Sequence, residues 1–290
     1  MRYIKNPRIL LLASMTIFGT VGIFVRNISL PSEEIALYRA ALALILIGAF
    51  LLLTREKIKL TRPRLQITVL LLSGAAMAMN WVLLFEAYKY TTVSNATLAY
   101  YFAPTVVTVA STLLFKEKIT PLSVLCFIGS SAGIVLITGT QSGGDGDLIG
   151  ILLGLGAAVL YASVVLMNKL ISDVPGIQRT FMQFISAVAV LIPYVLIGTG
   201  MHLAELDGGG WISLLIVGIV HTGITYCMYF TSIGKLPGGK VALLSYVDPL
   251  VAVLASVFIL GEDISGMQII GGIMILGFSL ISEILPKAKE

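Results

Sequence analysis

The string YFAPTVVTVASTLLFKE at Tyr101 to Glu117 returns as YVDPLVAVLASVFILGE at Tyr246 to Glu262, 145 positions later (246 − 101) and so half of the 290-residue length away. Identities fall in register at Tyr101/Tyr246, Pro104/Pro249, Val106/Val251, Ala110/Ala255, Ser111/Ser256 and Glu117/Glu262. The match continues upstream without a gap, with Phe85 to Pro104 lying against Phe230 to Pro249. A self-match at one fixed offset means one structural unit written twice, so whatever fold is assigned to the first half belongs to the second.

The solvent around that unit follows from composition. Hydrophobic residues make up 57% of the chain and charged residues 12%, with a mean hydropathy of +0.98. A water-facing surface normally needs about twice that charge. Apolar runs of about 18 to 22 residues recur from end to end, each long enough for a bilayer core about 30 Å thick. Backbone in lipid must satisfy its own hydrogen bonds, so runs of this length mean helices. The net charge of +4 would point to nucleic acid in a soluble protein; here it reports loop charges facing the cytoplasm, and no nucleic-acid partner is expected. Cys126 and Cys227 both lie inside apolar runs, which indicates neither a disulfide framework nor a metal site. The basic and apolar start, MRYIKNPRILLLASMTIFG, is read as an uncleaved first span, because the apolar run continues to about Val25 with no clear small-residue cleavage site.

The spans predicted on this basis are about 8–25, 35–53, 66–86, 96–115 and 122–139 in the first half, and about 149–168, 180–198, 211–231, 241–260 and 267–285 in the second. The expected organisation is a five-helix repeat at 1–142, a glycine-rich acidic linker at 143–147 and a second five-helix repeat at 148–290. With ten spans and the N-terminus inside, the cytoplasmic segments carry Arg2, Lys5, Arg8, Arg55, Lys57, Lys59, Arg62, Arg64, Lys116, Lys118, Lys169, Arg179, Lys235, Lys240, Lys287 and Lys289. The opposite side holds only Arg26 and Lys89, and Arg39 lies within the second span. This separation obeys the positive-inside rule and predicts a multi-pass cell-membrane protein with both termini in the cytoplasm. Five spans per half is an odd number, so the second repeat enters from the opposite side. Inverted repeats are a device of secondary transporters, since two conformations open to opposite sides can then be near equivalents.

The same residues resemble a known family. Each half has a proline early in its fourth helix and an acid ending that helix after an apolar run, as in Pro104 to Glu117 and Pro249 to Glu262. With the small and polar segment Ala87 to Leu98 and the Tyr38-Arg39 pair in the second helix, this is similar to the EamA-type proteins of the drug/metabolite transporter superfamily. The resemblance covers nearly the whole chain. It implies an all-α fold of ten transmembrane helices in two inverted five-helix repeats, a central cavity, and export or exchange of small organic metabolites such as amino acids. One departure is Phe18-Gly19-Thr20 in the first span, where the family often has a Trp.

Charges far from an interface are the informative ones, because each costs at least about 2.5 kcal/mol at the bilayer centre. Asp248 is the acid placed deep in a span, roughly 10 Å along the helix from Val241 at 1.5 Å per residue. It reads as a proton-coupling carboxylate or a partner for a substrate amine, against a structural carboxyl hydrogen-bonded to a neighbouring helix. His221, near the middle of the eighth span, reads as a proton carrier because imidazole titrates near neutrality, against a satisfied hydrogen-bonding group. Arg39 is placed to grip a substrate carboxylate. The plainer account has it snorkelling to the outer interface or pairing with Glu33 or Glu34.

Tyr101, Tyr246, Asn80, Trp81 and Tyr226, with Tyr161 and Asn95, fall in the helices that the resemblance places around the cavity. There aromatic rings would suit an amphipathic substrate, although Tyr and Trp are also ordinary residents of membrane interfaces. Glu86 and Lys89 read as interfacial. Pro104 and Pro249 each remove a helix hydrogen bond, freeing the carbonyls of Tyr100 and Ser245, and are expected to act as hinges or cavity-lining kinks. Gly129 and Gly133, and Gly150 and Gly154, have the small-xxx-small spacing of close helix approach, read as internal packing before dimerisation.

The expected function is a secondary active transporter, an exporter working by alternating access with a small-molecule metabolite as its partner, protons as the candidate coupling ion, and a monomer or weak homodimer as the assembly. An uptake carrier or exchanger is the nearest alternative; a membrane receptor or scaffold is the alternative of another class. No cofactor, metal or catalytic residue is expected. The chain has no HExxH, no pair of deep acids and no GxxxxGK[ST] string, so energy is expected to come from ion or solute gradients.

Overall fold

The computed structural model describes residues 6–55, 60–114, 120–139, 145–171, 173–233, 235–236 and 238–284, and every regular element among them is helical. Arg2, Lys5, Lys57, Lys59, Lys116, Glu117, Lys118, Lys287 and Lys289 lie outside the described residues, as do positions 143 and 144 of the expected linker.

The chain opens with α1 (Pro7–Gly19), started by Asn6, whose side chain accepts from the Arg8 N–H at 3.0 Å, and by Pro7 in the first turn where a missing N–H costs nothing. It breaks at Thr20 and resumes as α2 (Val21–Arg26). Two long helices follow, α3 (Ser32–Thr54) and α4 (Pro63–Tyr90). The next stretch is broken, α5 (Val93–Tyr100) then α6 (Ala103–Leu114), before α7 (Pro121–Gly139). The second half runs α8 (Asp145–Leu170), α9 (Gly176–Ile197), a short 3₁₀ turn, then α10 (Gly208–Leu215). A π-helical segment (Ile216–Ile224) joins α10 to α11 (Thr225–Ile233). The broken pair α12 (Gly238–Ser245) and α13 (Val247–Phe258) and the final α14 (Gly266–Ile284) complete the chain.

Helix therefore occupies each predicted range. Pro7–Arg26, Ser32–Thr54, Pro63–Tyr90, Asp147–Leu170, Gly176–Ile197 and Gly208–Ile233 are long and apolar enough to cross a bilayer, and shorter apolar helices cover Pro121–Ile137, Leu243–Phe258 and Gly266–Ser282. The described part of the expected linker differs from expectation: α8 begins at Asp145, which takes the end of the acidic connector into a helical first turn. Acidic residues are favoured there by the helix dipole.

Packing repeats with the halves exchanged. α4 lies against α8 and α9, and correspondingly the α10–π–α11 rod lies against α1 and α3; α5 and α6 rest on α8 as α12 and α13 rest on α1. Two pairs join equivalent helices, and both run antiparallel. In α7 and α14, Gly129 faces Phe278 while Gly133 faces Gly271. In α3 and α9, Gly48 faces Phe181 at one end, while Glu34 reaches His202 just beyond the other. A Cβ added to Gly133 would lie 2.7 Å from the Gly271 carbonyl oxygen, and one on Gly271 would lie 2.7 Å from that of Gly133, so this crossing is backbone on backbone. Gly150 meets Thr91, and Gly154 meets Ala96 and Ala99, so all four spaced glycines pack within the chain.

The exterior is apolar, with Leu52, Leu53, Ile197 and Phe258 exposed at 81%, 85%, 86% and 80%, whereas Ser73, Asn80, Gln183 and Thr222 are buried. Such a surface is unsuited to water and fitted to lipid. This is a multi-pass membrane protein.

Polar links cluster at both ends, several of them joining the two halves. At one, Gln66 Nε2 donates to Asp173 at 2.8 Å and Gln183 Nε2 reaches Ser73 and Asn168, each at 2.8 Å. A hydrogen bond from the Thr61 hydroxyl holds the Asp173 carboxyl below its ordinary range. At the other, Glu262 bonds to Arg26 and to the start of α5, Glu34 bonds to His202, and Glu86 pairs with Lys89 at 2.9 Å. A cavity of about 240 Å³ opens at this Glu262 end, lined by Val25, Arg26, Ile28, Ile35, Phe85, Tyr88 and Lys89.

Candidate functional site

The breaks in the two repeated stretches meet at the centre. Tyr101 (φ −73°, ψ 6°) caps α5, and Tyr246 (φ −73°, ψ −4°) precedes α13 with nearly the same backbone. Pro104 and Pro249 then fall in the first turn of the resumed helices, where proline disturbs nothing. Each span leaves the helix at the tyrosine, three residues before the proline, so the break lies just upstream of Pro104 and Pro249. The Tyr101 carbonyl accepts from Ser279 Oγ at 3.3 Å, so a neighbouring serine meets one of the groups that the break releases.

Across the junction, Tyr101 Oη donates to Asp248 Oδ2 at 2.5 Å, and the Tyr101 and Tyr246 rings lie 6.2 Å apart. Asp248 keeps partial exposure where the two repeats meet, as do Tyr100, Tyr101 and Tyr226 of the same cluster. The aromatic wall extends from Tyr101 to Tyr100 (5.8 Å) and on to the exposed Tyr161 (5.5 Å). A second run links Trp81 to Phe184 (5.3 Å), Phe184 to Tyr226 (5.5 Å) and Tyr226 to Phe18 (5.3 Å). Phe18 thus supplies an aromatic ring from the first span in place of the absent Trp. Asn80, beside Tyr100, is anchored by Nδ2 donating to the Ala157 carbonyl at 2.6 Å.

Arg39 closes the far side. It is 6% exposed, its Nε donates to Thr222 Oγ1 at 2.7 Å, and its guanidinium carbon lies 4.5 Å from the Trp81 ring centroid and 5.4 Å from that of Phe85. Both plainer accounts fail. The group turns inward, and Glu34 is engaged instead by the His202 N–H (3.0 and 2.9 Å), by His202 Nδ1 (2.6 Å) and by the Tyr38 hydroxyl (3.3 Å).

His221 and Asp248 do not meet. His221 Nε2 lies 2.9 Å from Thr20 Oγ1 and its Nδ1 3.3 Å from the Ile216 carbonyl. The Asp248 carbonyl presses on Gly19, where an added Cβ would come within 2.5 Å. Consecutive residues at the break of the first span therefore hold the two groups apart. Asn95 belongs to another network: its Oδ1 accepts from Gln268 Nε2 at 3.2 Å at the Glu262 end.

The π-helical segment carries no signature in composition. Its opened turns are closed by side chains five residues on: Thr222 Oγ1 donates to the Val217 carbonyl at 2.8 Å and Thr225 Oγ1 to that of Val220 at 2.7 Å. Gly218 and Gly223 present bare backbone to Leu42 and Leu46 of α3, a five-residue step on the wider helix matching a four-residue step on the α-helix. That close fit sets Thr222 against Arg39. The adjacent HTGIT string was the available signal for Thr222, and only His221 in it stood out.

An all-helical bundle with an apolar exterior and a polar, aromatic cluster where its two halves meet is the build of a multi-pass membrane protein. The chain belongs to the EamA-like transporter family, whose family profile matches it twice, over residues 7–139 and 148–282. The protein is accordingly a transporter of the drug/metabolite superfamily. It is 31% identical to the uncharacterized transporter YxxF of Bacillus subtilis (strain 168) over 95% of this chain and 89% of that one. It is 26% identical to a probable amino-acid metabolite efflux pump of Salmonella typhimurium (strain LT2) over 74% of this chain and 76% of the pump. A crystal structure sharing 20% identity superimposes with a TM-score of 0.67 over 96% of this chain and 98% of the other, which speaks for the fold.

Proposed function

We propose that the protein is a secondary active exporter of small organic metabolites such as amino acids, working by alternating access with proton coupling. In this reading ten helices cross the cell membrane as two inverted five-helix repeats, 1–142 and 148–290, joined through 143–147, with both termini cytoplasmic and the Glu262 end outside. The antiparallel runs of α3 with α9 and of α7 with α14 support the inversion. The printed name of the Salmonella relative supports export of amino-acid metabolites.

The observation that carries the reading is the 2.5 Å bond from Tyr101 of the first repeat to Asp248 of the second, at matching breaks in both. An acid at that joint links its protonation to the fit between repeats. Substrate would lie among Tyr101, Tyr246, Tyr226, Trp81, Asn80 and Arg39, with Pro104 and Pro249 starting the segments that swing. Asp248 is the coupling group, and His221 acts with it through the Gly19–Thr20 break.

The test is solute flux in proteoliposomes, screened over amino acids and related metabolites with and without a pH gradient. Saturable flux whose pH dependence disappears in Asp248→Asn is expected. Flux with unchanged pH dependence in that variant removes the coupling role; absence of saturable flux in folded protein removes the transporter mechanism.

A further inference from the structure

A guanidinium buried to 6% exposure normally meets a carboxylate, because a charge taken out of water needs a counter-charge. Among the described residues no acid lies within ion-pairing distance of Arg39. Its two contacts are of another kind: Nε is fixed by the Thr222 hydroxyl, and the guanidinium faces Trp81 and Phe85. Fixing Nε and stacking the plane sets the direction of the terminal nitrogens without occupying them. Arginine offers a planar fork suited to an oxyanion with two oxygens.

The surroundings agree. Arg39 lies about 10 Å along α3 from Ser32 at 1.5 Å per residue. Tyr226, Tyr100 and Tyr88 stand within electrostatic reach of it, and the same three stand within reach of Asp248. Arg39 and Asp248 thus share the same three tyrosine neighbours.

We infer that Arg39 is the anion receptor of the central site, that the transported solute carries a carboxylate, and that Thr222 is a positioning residue which aims the guanidinium through the π-helical turn. The inference rests on the transporter reading for the word "transported"; the binding of a carboxylate does not. Thr222 already donates its proton to Val217, so it receives the Arg39 Nε–H as an acceptor and locks the side chain to the π-helical turn.

The experiment uses the full chain purified in detergent and a panel of amino acids, each paired with its own carboxamide as the probe lacking the carboxylate. The readout is the shift in melting temperature with solute concentration, with flux in proteoliposomes measured alongside. At least one amino acid is expected to stabilise the protein while its amide does so at least tenfold more weakly. Arg39→Gln and Thr222→Val should weaken the response to the acid at least tenfold and leave the response to the amide as it was, and Thr222→Ser should restore it. Thr222→Val retains the arginine, so a fold defect in Arg39→Gln does not remove the test. Equal response to acid and amide, an acid response untouched by Arg39→Gln, or no response to any acid overturns the inference. Acid-specific stabilisation without flux sinks the transport reading and upholds the anion site; flux indifferent to the carboxylate does the reverse.

Discussion

Arg26 and Glu262 form an ion pair at 3.3 Å across the two halves of the molecule, with Glu262 only 7% exposed. The same carboxylate accepts the N–H groups of Val93 at 2.9 Å and Ser94 at 3.3 Å, the free donors at the start of α5, while Arg26 also donates to the Thr91 carbonyl at 2.6 Å. One acid therefore ties the end of α2 and the start of α5 to the segment after α13. A helix N-terminus favours negative charge, so dipole and ion pair act together.

Glu262→Gln keeps the shape and removes the charge. Hydrogen bonds to charged groups contribute about 1.5–3 kcal/mol each, and the exposed side of Arg26 reduces its share. A loss of about 1–3 kcal/mol is expected, read as a lowered melting temperature, together with faster thiol labelling of a cysteine placed at Ser94. Unchanged labelling and stability would show that the contact does not hold this end closed.

Tyr101→Phe removes the donor to Asp248 and leaves the ring. It is expected to reduce flux at least tenfold, since about 1.4 kcal/mol is a factor of ten and the hydrogen bond is charge-assisted. Tyr246→Phe, at the equivalent break, should cost less. Equal losses in the two variants would argue that the rings, and not the Tyr101–Asp248 bond, matter.

Gly133→Ala and Gly277→Ala make a matched pair on α7 and α14, the first inside their contact and the second outside it. A methyl on Gly133 meets the Gly271 carbonyl oxygen at 2.7 Å, whereas one on Gly277 has open space within 4 Å. The first should destabilise by about 1–3 kcal/mol through overpacking. The second should stabilise by roughly 0.5–1 kcal/mol through helix propensity. Thermal melting of both variants in one detergent checks the contrast.

His202 sits in the loop after α9, and its bond to Glu34 raises its pKa above the ordinary 6.5. A base with a raised folded-state pKa contributes stability that is full below 6.5 and fades as pH climbs through the raised value. Melting temperature should therefore fall as pH rises above 6.5, and His202→Gln should flatten that fall. A profile unaffected by the substitution would place its cause elsewhere.

The helices were legible because apolar runs and the duplication act locally and along the chain. Tyr101, Tyr246 and Asp248 could be singled out for the same reason, one by repetition and the other by depth. Arg39 was only half legible: sequence distance to Glu33 and Glu34 suggested local pairing, but Glu34 is taken by His202, which lies far along the chain. The π-helical turn was not legible at all. Its extra residue per turn is stabilised by Leu42 and Leu46 of another helix, and no local pattern encodes such a fit. Asn95 binds Gln268 of the other half, a contact that no local pattern announces.

The Tyr101 to Asp248 bond has a counterpart under exchange of the halves, and that counterpart is empty of chemistry: it would join Tyr246 to Ala103, a hydroxyl to a methyl. In a carrier that alternates between two such arrangements, one orientation is fastened at its middle and the other is not. On the proposed proton-coupled reading, a single unmatched acid turns a near-symmetrical seesaw into a weighted one, and loading or unloading one proton changes the weight.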